Sequence, residues 1–151
     1  MIIIQDSREK KPLKFTHSWV EAVKVRKLDV GDYKCVYRNN ETCNIIFERK
    51  TRYDLFGTLT SGYPRFRKEI LRAQDNGILL WIIIENSFTS IMNCRCYKGE
   101  KITGSQIMKT LLTLYWKYGV MHTFCKSREE MSKFIETVFI WYGTNKIWKQ
   151  N

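Results

Sequence analysis

The chain has 151 residues and a mass of 18.1 kDa, with 44% apolar and 14% aromatic residues, too many core-forming side chains for intrinsic disorder. A single domain over residues 1–151 is expected, and a chain this long can bury about 70% of its unfolded surface without a disulfide staple. Lysine and arginine outnumber aspartate and glutamate by 26 to 15, and the net charge of +11 favours a polyanionic partner, nucleic acid ahead of an anionic membrane. The longest apolar run, Ile78 to Ile84, is far short of the roughly 20 residues a spanning helix needs. The N-terminus is too soon charged for a signal peptide, so a cytoplasmic or otherwise intracellular protein is expected. Five cysteines, at 35, 43, 94, 96 and 125, fit reduced thiols better than a disulfide framework, and the CxC pair Cys94/Cys96 lacks the partners of a zinc site.

In chain order, the first four residues read as a short buried strand. Residues 28–37 and 43–50 read as a hairpin around the polar cluster Asn39-Asn40-Glu41-Thr42. Asp54 to Leu59 predicts a short helix ended near Gly62. Residues 64–76 predict a second, with Phe66, Ile70, Leu71 and Ala73 on one face and Gly77 as its stop. Ile78 to Glu85 is a β-branched apolar run of the kind buried on both faces of a sheet. Residues 86–102 carry no clear signal. Thr103 to Gln106 is a capping box for a helix closed by Gly119, and Val120 to Cys125 reads as a strand. Ser127 to Glu130 is a second capping box, opening a helix closed by Gly143. The layout is α/β with a mixed sheet.

The chemistry concentrates in Asp29-Val30-Gly31-Asp32-Tyr33, Glu48-Arg49-Lys50 and Asp54. A hairpin turning near Asn40 without a bulge pairs residues whose numbers sum to about 80, which sets Asp32 across from Glu48. Like charges about 5 Å apart are destabilising unless neutralised, and a hard divalent cation would neutralise them. Alternation puts Lys50 on the face of Glu48 and turns Arg49 away. Two acids and a lysine on one patch suit phosphodiester hydrolysis, in which Lys50 holds the attacking water or stabilises charge on the phosphorane. Asp6 closes the first strand within reach of the same metal, and Asp54 could orient Lys50 or a bound water. On the residues alone a plainer alternative stands: Asp32 and Glu48 as ordinary hairpin charges, Asp54 as a helix cap.

Asp6-Ser7-Arg8-Glu9, Val30-Gly31-Asp32-Tyr33, Glu48-Arg49-Lys50, Asp54-Leu55 and Gly57-Thr58-Leu59-Thr60-Ser61-Gly62 together resemble, in order and spacing, the nuclease domain of the XPF family. That group of structure-specific DNA endonucleases includes archaeal Hef and eukaryotic XPF. Its hallmark is a GD…ERKxxxD motif on a restriction-endonuclease-like core, with DxRE on the first strand. The likeness runs from residue 2 to about residue 142, and its later pieces look most like stand-alone bacterial or phage versions. The resemblance implies a restriction-endonuclease-like (PD-(D/E)xK-type) α/β fold, a mixed central sheet flanked by helices. It also implies a Mg²⁺- or Mn²⁺-dependent DNA endonuclease acting on flap, fork or branched DNA or on single-strand/double-strand junctions, in repair or recombination. Asp32, Glu48 and Lys50 would be the catalytic and metal-binding core, with Asp6, Arg8, Arg49 and Asp54 in support. A homodimer follows by family analogy.

Two departures stand out. No glycine pattern of the tandem helix-hairpin-helix module that often follows this domain is present, and Glu69 stands where the family tends to have glutamine. With no such module expected, diffuse charge would hold the DNA and binding would be strongly salt-dependent. Arg65, Lys68 and Arg72, at i, i+3 and i+7, with Arg67 beside them, are candidate phosphate contacts; a solvated helix face is the plainer alternative. Lys10, Lys11 and Lys14 are similar candidates. Trp141 and Trp148 suit base stacking or a subunit interface, with core packing favoured for Trp141. His17 and His122 are expected to be structural. A catalytically silent DNA-binding or scaffold domain, and a sequence-specific restriction or Holliday-junction nuclease on the same core, are the rival functions. The intact Asp32, Glu48, Arg49, Lys50 set argues against the first.

Overall fold

A computed structural model describes residues 1–95 and 97–149, with side chains through residue 145. Cys96 and the side chain of Trp148 therefore lie outside the described residues. Six strands form one sheet: β1 (Ile2–Asp6), β2 (Ala22–Arg26), β3 (Tyr33–Val36), β4 (Ile45–Thr51), β5 (Leu79–Glu85) and β6 (Met121–Cys125). Its spatial order is β2-β1-β3-β4-β5-β6. β3 runs antiparallel to β1 and β4, and the remaining neighbours are parallel, so the sheet is mixed.

Helices α1 (Arg52–Leu59), α2 (Tyr63–Asp75), α3 (Phe88–Met92) and α4 (Gly104–Tyr118) cover one face. Helix α5 (Arg128–Lys149) and the segment holding Leu13 cover the other. The apolar run of β5 serves both layers: Leu80, Ile82 and Ile84 join the α1–α4 core, while Ile83 joins the α5 core with Phe47, Ile135 and Phe139. Strand parity thus decides which layer each residue of β4 and β5 meets. Among the described residues no helix is long and apolar enough to cross a membrane.

Several expectations need correction. Residues 28–32 are not strand. Leu28 is tied to the end of β1, and Gly31 turns at φ +66, where a Cβ would come within 2.4 Å of Ile46 Cγ2. The hairpin is also bulged: Val36 bridges Thr42 near the turn, whereas Tyr33 pairs with Phe47 at the far end, so the second strand carries two extra residues. The sum of 80 holds at the end that matters for Asp32. Strand β2 went unanticipated because its valines are exposed, Val23 at 41% and Val25 at 62%, and it is defined only by pairing with β1. Helix α5 continues through Gly143, whose missing Cβ would lie 2.7 Å from Tyr37 Cε1; close approach, not helix termination, requires that glycine. At its start Ser127 Oγ accepts from the Glu130 N–H, but Glu130 bonds the Lys126 N–H, one residue short of the expected box. Trp141 is exposed rather than packed in the core.

Candidate active site

The end of β4, the turn before β3, and helices α1 and α2 surround a polar cleft of about 480 Å³. Asp32, Glu48 and Lys50 all line it, with Arg8, Arg65 and Glu69. Each is placed by a local feature. Gly31 turns the chain so that the Asp32 N–H donates to Phe47 O (2.8 Å) and Asp32 Oδ2 accepts the Arg49 N–H (2.8 Å). Glu48 and Lys50 lie two apart on β4 and share its α1-facing side, where Lys50 Nζ donates to Glu48 Oε1 at 2.5 Å.

Burial raises the carboxyl of Asp32; the Arg49 N–H opposes this, while Glu9 and Asp6 add to it. Burial likewise raises Glu48, and Lys50 opposes this while Asp32 and Glu69 reinforce it. Burial alone would lower the Lys50 ammonium, but Glu48, Asp32 and Glu69 together keep it above its ordinary value. Three carboxylates thus compete for the cations beside them. Among the described residues no three such side chains close into a preformed metal cage. The donors are hard oxygens in an open cleft, which suits a cation that binds through one or two carboxylates and keeps its waters, as Mg²⁺ does.

Not all the expected residues meet there. Asp6 is fully buried: Oδ1 accepts from Arg8 N (2.6 Å) and Nε (2.9 Å), and Oδ2 from Arg8 Nη2 (2.7 Å) and Leu28 N (2.9 Å). Its oxygens are committed to Arg8 and the backbone and do not line the cleft, contrary to the expectation of a metal ligand. The Arg8 bonds hold its carboxyl down at about 2 despite burial. Arg8 is 60% exposed and lines the cleft, so the buried aspartate presents a fixed guanidinium to it.

Arg49 turns to the opposite face, as parity requires. Its Nη2 donates to Glu85 Oε2 (2.5 Å) and its Nη1 to Glu9 Oε2 (3.5 Å), while its buried Nε has no partner. Lys11, Thr51 and Arg128 border that hollow. Asp54 is also outside the cleft. Exposed at the third position of α1, it completes a capping box with Thr51, accepting the Thr51 hydroxyl proton at 2.6 Å, and makes no bond to Lys50.

On α2, Arg65 reaches the cleft and Lys68 and Arg72 are exposed; Arg67 leans to α4, where its Nε donates to Tyr118 Oη (3.0 Å). Glu69 was noted in the sequence only as a departure from glutamine, yet its Oε1 accepts the Gly31 N–H (3.0 Å) and its side chain lines the cleft. Its place four residues after Arg65, on the same helix face, was the available signal.

The ERCC4 domain family matches residues 5–138. Among solved structures the chain is similar to XPF from Aeropyrum pernix, with a TM-score of 0.65 and 23% identity over 91% of this chain and 62% of that one. It is similar also to XPF from Aeropyrum pernix in complex with DNA, with a TM-score of 0.64 and 24% identity over 90% of this chain and 62% of that one. The chain thus spans about three-fifths of the XPF chains it matches. No curated protein matches it. With Asp32, Glu48 and Lys50 gathered in one cleft of a mixed six-stranded sheet of the restriction-endonuclease-like type, the chain belongs to the ERCC4 domain family.

Proposed function

We propose that this protein is a DNA endonuclease dependent on Mg²⁺ or Mn²⁺, acting on flap, fork or branched DNA. The observation that carries the reading is the convergence of Asp32, Glu48 and Lys50 in one open polar cleft. Asp32 and Glu48 would hold the cation. A divalent ion bound there supplies Lewis-acid activation of water and of the phosphoryl oxygens. Lys50, within hydrogen-bond reach of Glu48, orients the attacking water or stabilises charge on the pentacovalent phosphorus. The water oxygen bonds to phosphorus and gives up a proton to solvent, the P–O bond to the sugar breaks, and the departing sugar oxygen takes a proton from solvent. Arg8, braced by Asp6, grips a non-bridging phosphate oxygen, and Glu69 steadies the Gly31-Asp32 turn. Arg49 acts from behind the strand as a positioning residue, and Asp54 as a helix cap.

Arg65, Lys68 and Arg72 would contact the flanking phosphates, with Arg67 at the margin. The DNA complex of the Aeropyrum pernix relative supports DNA as the partner, and family resemblance suggests a second copy of this chain, which sedimentation would test. The experiment for the main reading incubates purified protein with Mn²⁺ and end-labelled flap, fork, junction and plain duplex DNAs. Metal-dependent cutting of a branched substrate, abolished in Glu48→Ala, is expected. No cutting of any substrate, or full activity in Glu48→Ala, overturns it. Cutting of plain duplex at one sequence favours a restriction nuclease instead.

A further inference from the structure

Beside the cleft, on the wall formed by α1, lies a group of side chains that the proposed chemistry does not use. Tyr53 follows β4 by two residues and is 61% exposed, in a part of α1 that does not need it for packing. Its ring lies 5.8 Å from that of Tyr97. The guanidinium of Arg52 sits 5.7 Å from the Tyr53 ring centre, and the ammonium of Lys98 sits 5.4 Å from that of Tyr97.

The arrangement is held in place. Lys98 and Gly99 both have positive φ, 49° and 78°, and join Tyr97 to Glu100 in a two-residue turn closed by a pair of backbone hydrogen bonds of 3.0 and 2.9 Å. Tyr97 Oη then donates to Tyr53 O at 3.1 Å, fastening the turn to α1. Gly57 links this group to the cleft: it lines the cleft, and a Cβ on it would stand 3.2 Å from Tyr97 Oη.

Tyr53 is the exposed ring and Tyr97, half-buried against Phe56, backs it. An exposed aromatic ring flanked by cations is what the bases and phosphates of an unpaired strand take up, whereas a duplex hides its base faces. On the α2 side the exposed residues are mainly charged, Arg65, Arg67, Lys68 and Arg72 among them, and the ring that lines the cleft there, Phe66, is buried. We infer that Tyr53 and Tyr97, with Arg52 and Lys98, form a stacking platform for single-stranded DNA at the mouth of the cleft. The inference rests on the nuclease reading above and refines its substrate: one side of the cleft takes an unpaired arm.

The test measures binding in EDTA, where cutting plays no part, by fluorescence anisotropy of a labelled oligothymidine of about 15 nucleotides and of a blunt duplex. Tyr53→Ala should weaken single-strand binding about tenfold and leave duplex binding unchanged, and Tyr53→Trp should restore it. Arg52→Ala should lower the dependence of log K on log salt by about 0.7 for the single strand. Equal loss on both DNAs, or no loss on either, overturns the platform. As a second measurement, a 5-iodouracil-substituted strand should photocrosslink to the peptides holding Tyr53 or Tyr97, and crosslinks confined to α2 would reject it. Cutting of branched DNA with no single-strand preference rejects the platform alone. Single-strand preference without cutting rejects the nuclease reading alone.

Discussion

Glu48, Arg49 and Lys50 are consecutive on one strand, yet their side chains enter two different environments. On the α1 side, Glu48 and Lys50 meet Asp32 and Glu69 in an open cleft, with three carboxylates around the Lys50 ammonium. On the α5 side, the Arg49 side chain is 6% exposed and held by Glu85 and Glu9 in an ion-pair network. The first arrangement leaves oxygen lone pairs facing solvent and space for a ligand, and the second spends its charges on joining β4 to β5 and to the loop after β1. A motif read as one unit is therefore half in the cleft and half a brace behind it.

The contrast can be broken most strongly from the cleft side. Glu48→Gln should lower the rate of DNA cutting by about 10³-fold, roughly 4 kcal/mol at the barrier, in single-turnover assays. Its unfolding free energy from urea melts should stay within about 1 kcal/mol of the parent, because Asp32 and Glu69 still face Lys50. Arg49→Ala should do the reverse. Removing one member of a buried charge network strands its partners and costs about 3–4 kcal/mol, read as a fall in Tm of about 10 °C. A melting temperature unchanged in Arg49→Ala would return Arg49 to the catalytic group.

Smaller effects sharpen the boundary between the regions. Asp6, with its carboxyl held near 2 by Arg8, should contribute about 1–2 kcal/mol, allowing for screening on the exposed side of Arg8. A depressed carboxyl contributes fully above its unfolded value near 4, and the contribution disappears as pH falls towards 2. Asp6→Asn should therefore destabilise the protein at pH 7, with a deficit that shrinks in urea melts as pH falls through that window. Asp54→Ala should cost about 1 kcal/mol through the lost capping box, with cutting kept within about twofold. A rate loss of about 100-fold there would put Asp54 back among the catalytic residues.

Much of this division was legible in local sequence. Alternation separates Arg49 from Glu48 and Lys50, and the pairing near Asn40 carries Asp32 to Glu48 because the hairpin bulge falls between the turn and the site. The Thr103–Gln106 capping box and the all-apolar β5 were equally plain, since propensity and periodicity act over a few residues. Asp6 and Glu69 were not separable in that way. Asp6 is withdrawn from the cleft by Leu28, 22 residues away, and Glu69 is drawn in by the N–H of Gly31, 38 residues away. Strand β2, the continuation of α5 past Gly143 beside Tyr37, and the pairing of Tyr53 with Tyr97 depend in the same way on partners distant in the chain. The sequence by itself determined five of the six strands, the motif and the face each motif residue of β4 takes, through spacings short enough for backbone geometry to enforce. Only the tertiary structure decided which acids line the cleft, because a carboxylate goes where hydrogen-bond donors can satisfy it, and Leu28 and Gly31 are brought to Asp6 and Glu69 only by the fold.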